Sequence, residues 1–237
     1  MLNREKIRAI SLDLDDTLWP IWPTIERAEG ALHAWLAQHA PATATQYATP
    51  EALREIRTHM VQHRPDLAHD MSGLRRESIR LALTRAGDDP ALAEPAFEVF
   101  FAERQNVIFF PDALPALEFL AARYPLVSLS NGNADLERVG LTRYFKGGLS
   151  AFAFGVAKPD ARIFHAAADL AGVAAHEVLH VGDDTLLDVL GARKAGMQAA
   201  WVNRAQAPWP HADDAQADGH VPDLEFASFS QLCDALR

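Results

Sequence analysis

The sequence has few cysteines, few cations and no long apolar run, and each scarcity argues against a class of protein. Cys233 is the only cysteine among 237 residues, so no disulfide can form within the chain. Lysine and arginine number 22 against 32 acidic residues, and the net charge of −10 disfavours nucleic acid or an anionic membrane as a partner. No apolar stretch approaches the length of a signal peptide or a membrane span. We therefore expect a cytoplasmic protein of ordinary globular composition.

The segment from Thr24 to Gln105 has apolar residues at helical spacing and no convincing strand. Helices are expected to start at Thr24, Thr49 and Ser72, which are residue types that cap helix N-termini. Gly87 is expected to end the third helix, and a fourth covers about 90–105. This stretch is predicted to form an all-helical lobe.

Outside that lobe, short apolar runs alternate with helical patterns, which is typical of a doubly wound parallel sheet. The predicted strands are 7–12, 126–130, about 149–153, 178–181, 198–202 and an edge strand within 221–226. Helices are predicted at 112–123, 134–141, 159–171 and 186–195, and a loop at 209–219. The lobe is then an insertion after the first strand. We predict a Rossmann-like α/β core of residues 1–19 and 107–237 and an inserted all-helical cap domain of residues 20–106.

Four polar clusters occur where predicted strands end or helices begin. They are Asp13-Leu14-Asp15-Asp16-Thr17, Ser130-Asn131-Gly132, Lys158-Pro159 and Gly182-Asp183-Asp184 with Asp188. Taken singly, each has an ordinary explanation, as an Asx turn, a helix cap or a surface charge. Open α/β sheets place their sites at the carboxyl ends of the strands. Four coincidences on that one edge favour a functional site.

Crowded carboxylates at a strand end repel one another, and a bound cation is the simplest compensation. Ligands that are all oxygen favour Mg²⁺. The set suggests phosphoryl transfer, in which one carboxylate attacks phosphorus and forms an aspartyl phosphate. A second carboxylate then protonates the leaving oxygen and later activates water.

These four motifs, in this order, resemble those of the haloacid dehalogenase-like (HAD) hydrolase superfamily, and the helical insertion resembles the C1-type cap of that superfamily. The resemblance implies an Mg²⁺-dependent phosphatase acting on a small phosphorylated metabolite. It implies that Asp13 is the nucleophile and that Asp15 is the acid and base. The implied metal ligands are Asp13, Asp15 (through its carbonyl) and Asp183, with Asp188 and Asp184 behind them. The residues implied to bind the phosphoryl group are Ser130, Lys158, Asp16 (backbone N–H), Thr17 and Asn131.

The same motifs are compatible with three further functions. Dehalogenases of the superfamily also use the first aspartate as nucleophile but lack the second, because halide leaves without a proton. Asp15 therefore favours a phosphatase over a 2-haloacid dehalogenase. A broad-specificity sugar or nucleotide phosphatase and a non-catalytic protein that binds phosphorylated metabolites also remain open.

Three motif segments and the cap segment also resemble a bacterial subgroup; they are 10–19, 131–133, 179–184 and 69–83. Its members dephosphorylate flavin mononucleotide and the riboflavin-pathway intermediate 5-amino-6-(5-phospho-D-ribitylamino)uracil. Aromatic and polar side chains in and near the cap are the candidates for recognising such a ring; they are Trp19, Trp22, His69, Met71 and Arg75. Indole faces stack on aromatic rings, although aromatic residues in a small helical lobe more often form its core.

Overall fold

The computed structural model describes residues 1–67, 69–211 and 220–237, so most of the loop predicted at 209–219 lies outside the described residues. The chain divides into two compact units, Met1–Pro20 with Ile108–Arg237, and Ile21–Val107. The first unit contains the sheet and the second is helical. Within the described ranges, no helix is long and apolar enough to cross a membrane.

Six parallel strands form the sheet of the described residues, which confirms the predicted Rossmann-like architecture. They are β1 (Ala9–Leu12), β2 (Leu126–Ser130), β3 (Gly147–Ser150), β4 (Val178–Gly182), β5 (Gln198–Val202) and β6 (Leu224–Phe226). Their spatial order is β3-β2-β1-β4-β5-β6, so β1 lies between β2 and β4. Every residue of β1, β2, β4 and β5 is buried, as expected for a parallel sheet covered on both faces.

The second unit contains five α-helices in its described part. They are α1 (Ile21–His39), α2 (Pro41–Gln46), α3 (Pro50–His63), α4 (Met71–Ala86) and α5 (Ala93–Arg104). Their apolar faces enclose a core that includes Leu32 and Phe97. Thr49 caps α3 with its side chain and Gly87, at φ +84°, ends α4, as predicted. The role of this unit as a cap stays a prediction.

Two helix starts differ from the prediction. Helix α1 begins before Thr24, because Pro23 falls in the first turn, where no backbone N–H is needed. Helix α4 begins before Ser72, because Asp70 is its N-cap and accepts the backbone N–H of Gly73 at 2.7 Å.

The helices of the first unit lie between the strands along the chain, except for the last, which follows β6. They are α6 (Ala113–Ala121), α7 (Ala151–Phe154), α8 (Ala161–Ala171), α9 (Gly191–Lys194) and α10 (Phe229–Ala235), with a π-helical turn at Thr185–Leu190. The helix predicted at 134–141 is wrong, because the Asp135 carboxylate accepts two successive backbone N–H groups and holds the chain in turns. The third strand lies at 147–150 instead of 149–153, because the Ser150 side chain caps α7. Gly148 lets that strand approach β2, since a Cβ there would lie 2.3 Å from Ser128 Oγ.

Candidate active site

The site lies where the carboxyl ends of β1, β2 and β4 meet. Asp13 follows β1, Ser130 ends β2 and Asp183 follows β4. The strand order makes these three strands neighbours, with the chain turning to opposite sides of β1. The predicted clusters therefore converge for the reason given from the sequence: the carboxyl ends of parallel strands share one edge.

Lys158 is the cation of the site. Its ammonium lies 2.6 Å from Asp13 Oδ1 and 2.6 Å from Asp188 Oδ1, and its side chain is 3% exposed. The Asn131 side chain holds the Lys158 backbone, donating to its carbonyl at 3.0 Å and accepting its N–H at 2.8 Å. The phosphate contact predicted for Asn131 thus differs from the structure, which uses its amide to hold the chain that carries the lysine.

The Lys158 ammonium lies between two buried carboxylates, Asp13 and Asp188, whose pKa values shift in opposite directions. Burial raises the pKa of Asp13 well above its ordinary value, and the charges of Asp188 and Asp183 add to the effect against the attraction of Lys158. Burial acts the same way on Asp188, but Lys158 and His180 outweigh it and lower its pKa to about 2. Burial would lower the pKa of Lys158, yet the two aspartates raise it, so the ammonium stays charged.

Asp183 adds a third carboxylate to the site, and the Thr17 hydroxyl lies beside it. Burial, with the charges of Asp188 and Asp16, raises the pKa of Asp183 to about 7. The Thr17 hydroxyl lies 3.2 Å from Asp183 Oδ1 and 3.4 Å from Asp13 Oδ2, and Thr17 is fully buried. The Thr17 hydroxyl proton is directed at these carboxylates, and a contact of Thr17 with the phosphoryl group stays a prediction.

Asp13, Asp183 and Asp188 each offer a carboxylate oxygen within 4.8 Å of the others, so the cluster could hold a metal ion. The donor set fits a hard cation, since all its atoms are oxygen and two of its members have raised pKa values that a cation would offset. Asp188 has less capacity left to bind a cation, because both of its oxygens already accept hydrogen bonds. Its Oδ1 takes Lys158 and His180, and its Oδ2 takes the backbone N–H of Asp184.

The loop after Asp13 folds back on Trp19. The Trp19 indole N–H donates to Asp15 Oδ1 at 2.9 Å, and its side chain is fully buried. Stacking of Trp19 on a substrate ring is therefore contradicted, because the buried indole leaves neither face open. Asp16 has φ +57° and donates its backbone N–H to the Trp19 carbonyl at 2.8 Å, so that N–H is not directed at a phosphate as predicted. This φ lies in the left-handed region, which aspartate adopts more readily than most residues other than glycine.

Asp184 and Ser130 have local partners. The Asp184 carboxylate accepts the backbone N–H groups of Leu186 and Leu187, both at 2.8 Å, and so caps the helical turn that follows β4. It does not belong to the cluster of possible metal ligands among the described residues. Ser130 is buried, and its Oγ accepts the N–H of Gly132 at 3.0 Å. Its hydroxyl proton remains to be donated.

Three residues that shape the site were assigned no individual role from the sequence. Gly182 leaves the room that the Asp188 carboxylate fills, since a Cβ there would lie 2.2 Å from Asp188 Cγ. His180 contacts Asp188 from within β4. Trp201 of β5 is the strand partner of Gly182 of β4, and its indole N–H donates to the Asp183 carbonyl at 2.9 Å. The sequence signal for Gly182 was a glycine directly before Asp183. The signal for His180 was a polar residue inside the apolar run 178–182.

The remaining predicted residues lie in the second unit. Arg75 is buried, donates to Glu29 at 3.1 Å and lies over the Phe100 ring at 3.8 Å, so its guanidinium is used inside that unit. Trp22 is 49% exposed, with the Arg54 guanidinium 4.7 Å from its ring centre. His69 and Met71 are exposed.

Comparisons with known proteins agree with these motifs. Residues 7–196 match the model of the haloacid dehalogenase-like hydrolases. The chain is 32% identical over 96% of both chains to the 5-amino-6-(5-phospho-D-ribitylamino)uracil phosphatase YigB of Escherichia coli. It is 38% identical to a phosphoserine phosphatase of Thermus thermophilus over 67% of this chain and 63% of that one. A solved structure named 2-haloacid dehalogenase from Pseudomonas syringae is 40% identical, with a TM-score of 0.86 over 97% of this chain and 98% of that one.

Proposed function

The chain belongs to the haloacid dehalogenase-like hydrolases, and on that premise we propose that it is an Mg²⁺-dependent phosphatase of small phosphorylated metabolites. One observation carries the proposal. The Asp13 carboxylate is held at the end of β1 by the Lys158 ammonium, and a second carboxylate, Asp15, follows two residues later. A nucleophile and a proton donor side by side are what hydrolysis of a phosphate ester needs.

In the first step, an Asp13 oxygen attacks phosphorus, and the bond from phosphorus to the ester oxygen breaks. Asp15 gives its proton to that oxygen, so the leaving group departs as an alcohol. Lys158 and the Ser130 hydroxyl bind the phosphoryl oxygens as charge builds up on them.

In the second step, water attacks the phosphorus of the aspartyl phosphate, Asp15 takes the proton from that water, and the bond to Asp13 breaks to release phosphate. Mg²⁺ held by Asp13, Asp183 and the Asp15 carbonyl would supply positive charge beside the phosphoryl group. Asp188 would then hold Lys158 in place, and Asp184 would cap the helical turn after Asp183.

For the substrate, we propose flavin mononucleotide or 5-amino-6-(5-phospho-D-ribitylamino)uracil. The likeness to YigB, which extends over 96% of both chains, supports the second of these. Flavin mononucleotide is proposed on the resemblance of the motifs and the cap segment to the bacterial subgroup. The site in the first unit contacts only the phosphoryl group by this mechanism, so selection of the leaving group falls to other residues. We propose that the second unit supplies them, and the half-exposed Trp22 is its best candidate for stacking on a ring.

A 2-haloacid dehalogenase is the second candidate, favoured by the likeness to the Pseudomonas syringae protein of that name. Attack of Asp13 on carbon would serve that reaction as well as attack on phosphorus. Asp15 has no task there, because halide leaves without a proton. A panel that includes phosphate esters and 2-chloropropionate, each with Mg²⁺ and after chelation, separates the two.

The decisive variant is Asp13→Asn, assayed on p-nitrophenyl phosphate and on both flavin-pathway substrates. An amide of the same shape cannot form the acyl phosphate, so we expect loss of turnover with a folded protein. Chelation is expected to abolish activity and Mg²⁺ to restore it. Asp160→Asn changes a partly exposed carboxylate that accepts a hydrogen bond from Arg162; it is the matched control and is expected to keep full activity. Phosphate release by Asp13→Asn at a tenth of the parent rate would contradict the assignment.

A further inference from the structure

A buried row of polar side chains runs from the strands behind Asp13 to the nucleophile itself. Ser11 Oγ lies 2.7 Å from His180 Nδ1, and His180 Nε2 lies 3.0 Å from Asp188 Oδ1. The same Asp188 oxygen accepts the Lys158 ammonium, which also holds Asp13. All five side chains are at most 10% exposed, so water does not substitute for these contacts.

For a neutral imidazole, the row has one consistent set of proton positions. Asp188 Oδ1 accepts the Lys158 ammonium, so it is a carboxylate oxygen and accepts from His180 as well. The Nε2 atom of His180 therefore carries a proton. A neutral imidazole has one N–H, so Nδ1 is an acceptor and the Ser11 hydroxyl donates to it. Ser11 thus selects the tautomer that binds Asp188.

The surrounding backbone and rings hold this row in place. Ser11 and His180 are direct partners across the parallel pair β1 and β4, so their side chains lie on one face of the sheet. The Phe164 ring packs edge-on against the imidazole, with 5.1 Å between ring centres. Gly182, two residues after His180, leaves room for the Asp188 carboxylate. The imidazole has little freedom to turn away from Asp188.

We propose that His180 is a positioning residue for catalysis, and that Ser11 sets its tautomer. The His180 N–H fixes the Asp188 carboxylate, which fixes the Lys158 ammonium against Asp13. This inference rests on the proposed phosphatase function, because its effect on rate passes through the nucleophile. Removing the imidazole leaves the charged groups of Asp188 and Lys158 in the site but lets both side chains move.

The test compares His180→Leu, His180→Gln and Ser11→Ala with the parent on p-nitrophenyl phosphate and Mg²⁺. Outer-shell partners of this kind are typically worth 10–100-fold, so we expect kcat of His180→Leu to fall at least about tenfold with KM within about twofold. The Gln side chain keeps an N–H near the Nε2 position and is expected to restore most of kcat. Ser11→Ala is expected to show a smaller loss of kcat. His165→Gln changes a histidine that hydrogen-bonds to the Ala195 carbonyl; it is the control and is expected to match the parent.

Thermal unfolding of each variant separates positioning from packing. A purely structural histidine would lower the melting temperature but leave kcat per folded molecule unchanged, and Gln would then be no better than Leu. A kcat for folded His180→Leu within twofold of the parent overturns the proposal. So does a Gln variant as slow as the Leu variant.

A second readout does not depend on activity or on the His180 variants folding. Nitrogen-15 shifts of the imidazoles in the parent are expected to show one histidine with a protonated Nε2 that exchanges slowly, and Ser11→Ala is expected to perturb that signal. A proton on Nδ1 of this histidine overturns the proposed tautomer. If the parent hydrolyses no phosphate ester, the proposed function fails while the tautomer measurement still decides the row. If the parent is an active phosphatase and the variants keep kcat, the positioning role alone fails.

Discussion

Asp183→Asn is expected to stabilise the protein in the absence of metal, although it removes a residue that we place in the active site. The Asp183 pKa of about 7 is about three units above its ordinary value of 3.8, and one unit corresponds to about 1.4 kcal/mol. The ionised carboxylate therefore costs at most about 4 kcal/mol at pH 8, and solvent screening leaves a few kcal/mol. The asparagine keeps an oxygen that can accept the Thr17 hydroxyl, so the change removes the charge with little loss of hydrogen bonding.

The sign of the pH dependence follows from the raised pKa. The native state binds the Asp183 proton more tightly than the unfolded chain, so the cost is absent below about pH 4, grows as the pH rises and is complete above about pH 7. Urea unfolding in a chelator is expected to show Asp183→Asn more stable than the parent at pH 8, with the difference shrinking by pH 4.5. A saturating cation at 100 times its dissociation constant adds about 2.7 kcal/mol to the parent. The variant is expected to lose that gain.

Asp184→Asn is the matched control, because it changes the adjacent carboxylate, which caps a helix and lies outside the acidic cluster. Asparagine caps helices about as well as aspartate, so its unfolding free energy and its response to Mg²⁺ are expected to match the parent. Metal-free Asp183→Asn that is no more stable than the parent at pH 8 would refute the repulsion argument. A full Mg²⁺ response in Asp183→Asn would refute its place among the ligands.

Three further changes test other parts of the molecule. Trp19→Phe removes the indole donor to Asp15, and kcat/KM is expected to fall more for alkyl phosphates than for p-nitrophenyl phosphate, whose leaving group needs little proton donation; equal losses would contradict a role through Asp15. Gly182→Ala places a methyl group 2.2 Å from the unchanged position of Asp188 Cγ, so kcat is expected to drop at least about tenfold with the fold retained, whereas parent-like turnover would show that the carboxylate can shift without loss of activity. Arg75→Leu removes one buried guanidinium from its glutamate and is expected to lower the unfolding free energy by about 2 kcal/mol; a selective loss on flavin substrates with parent stability would favour the substrate role instead.

The sheet and the convergence of the motifs could be predicted because they depend on simple regularities. Strands 126–130 and 198–202 have the predicted bounds, since each is a short apolar run bordered by residues that end strands. Asp13, Lys158 and Asp188 meet because parallel strands share a carboxyl edge. Neither result needed knowledge of side-chain conformations.

The errors arose where one side chain decides between two local structures. The segment 134–141 has helical spacing, yet the Asp135 carboxylate captures two backbone N–H groups and favours turns. The start of β3 is hidden by Gly147 and Gly148, which are poor strand formers, because the close approach of Ser128 cannot be read from the chain. The place of Trp19 beside Asp15 suggests a stacking face, whereas its N–H makes the contact and its faces are buried.

The polar atoms of the site divide into those that hold its geometry and those that face the reaction. The side chains of Asn131, Thr17 and Asp184 make hydrogen bonds within the chain, so they hold the geometry of the site. The cluster of Asp13, Asp183 and Asp188 with Lys158 carries three carboxylates and one ammonium, so its full ionisation leaves two negative charges in a largely buried place. An anionic phosphate ester would be repelled by that excess, and the raised pKa values of Asp13 and Asp183 express the same imbalance. In the proposed phosphatase, one divalent cation held by these carboxylates would offset that excess.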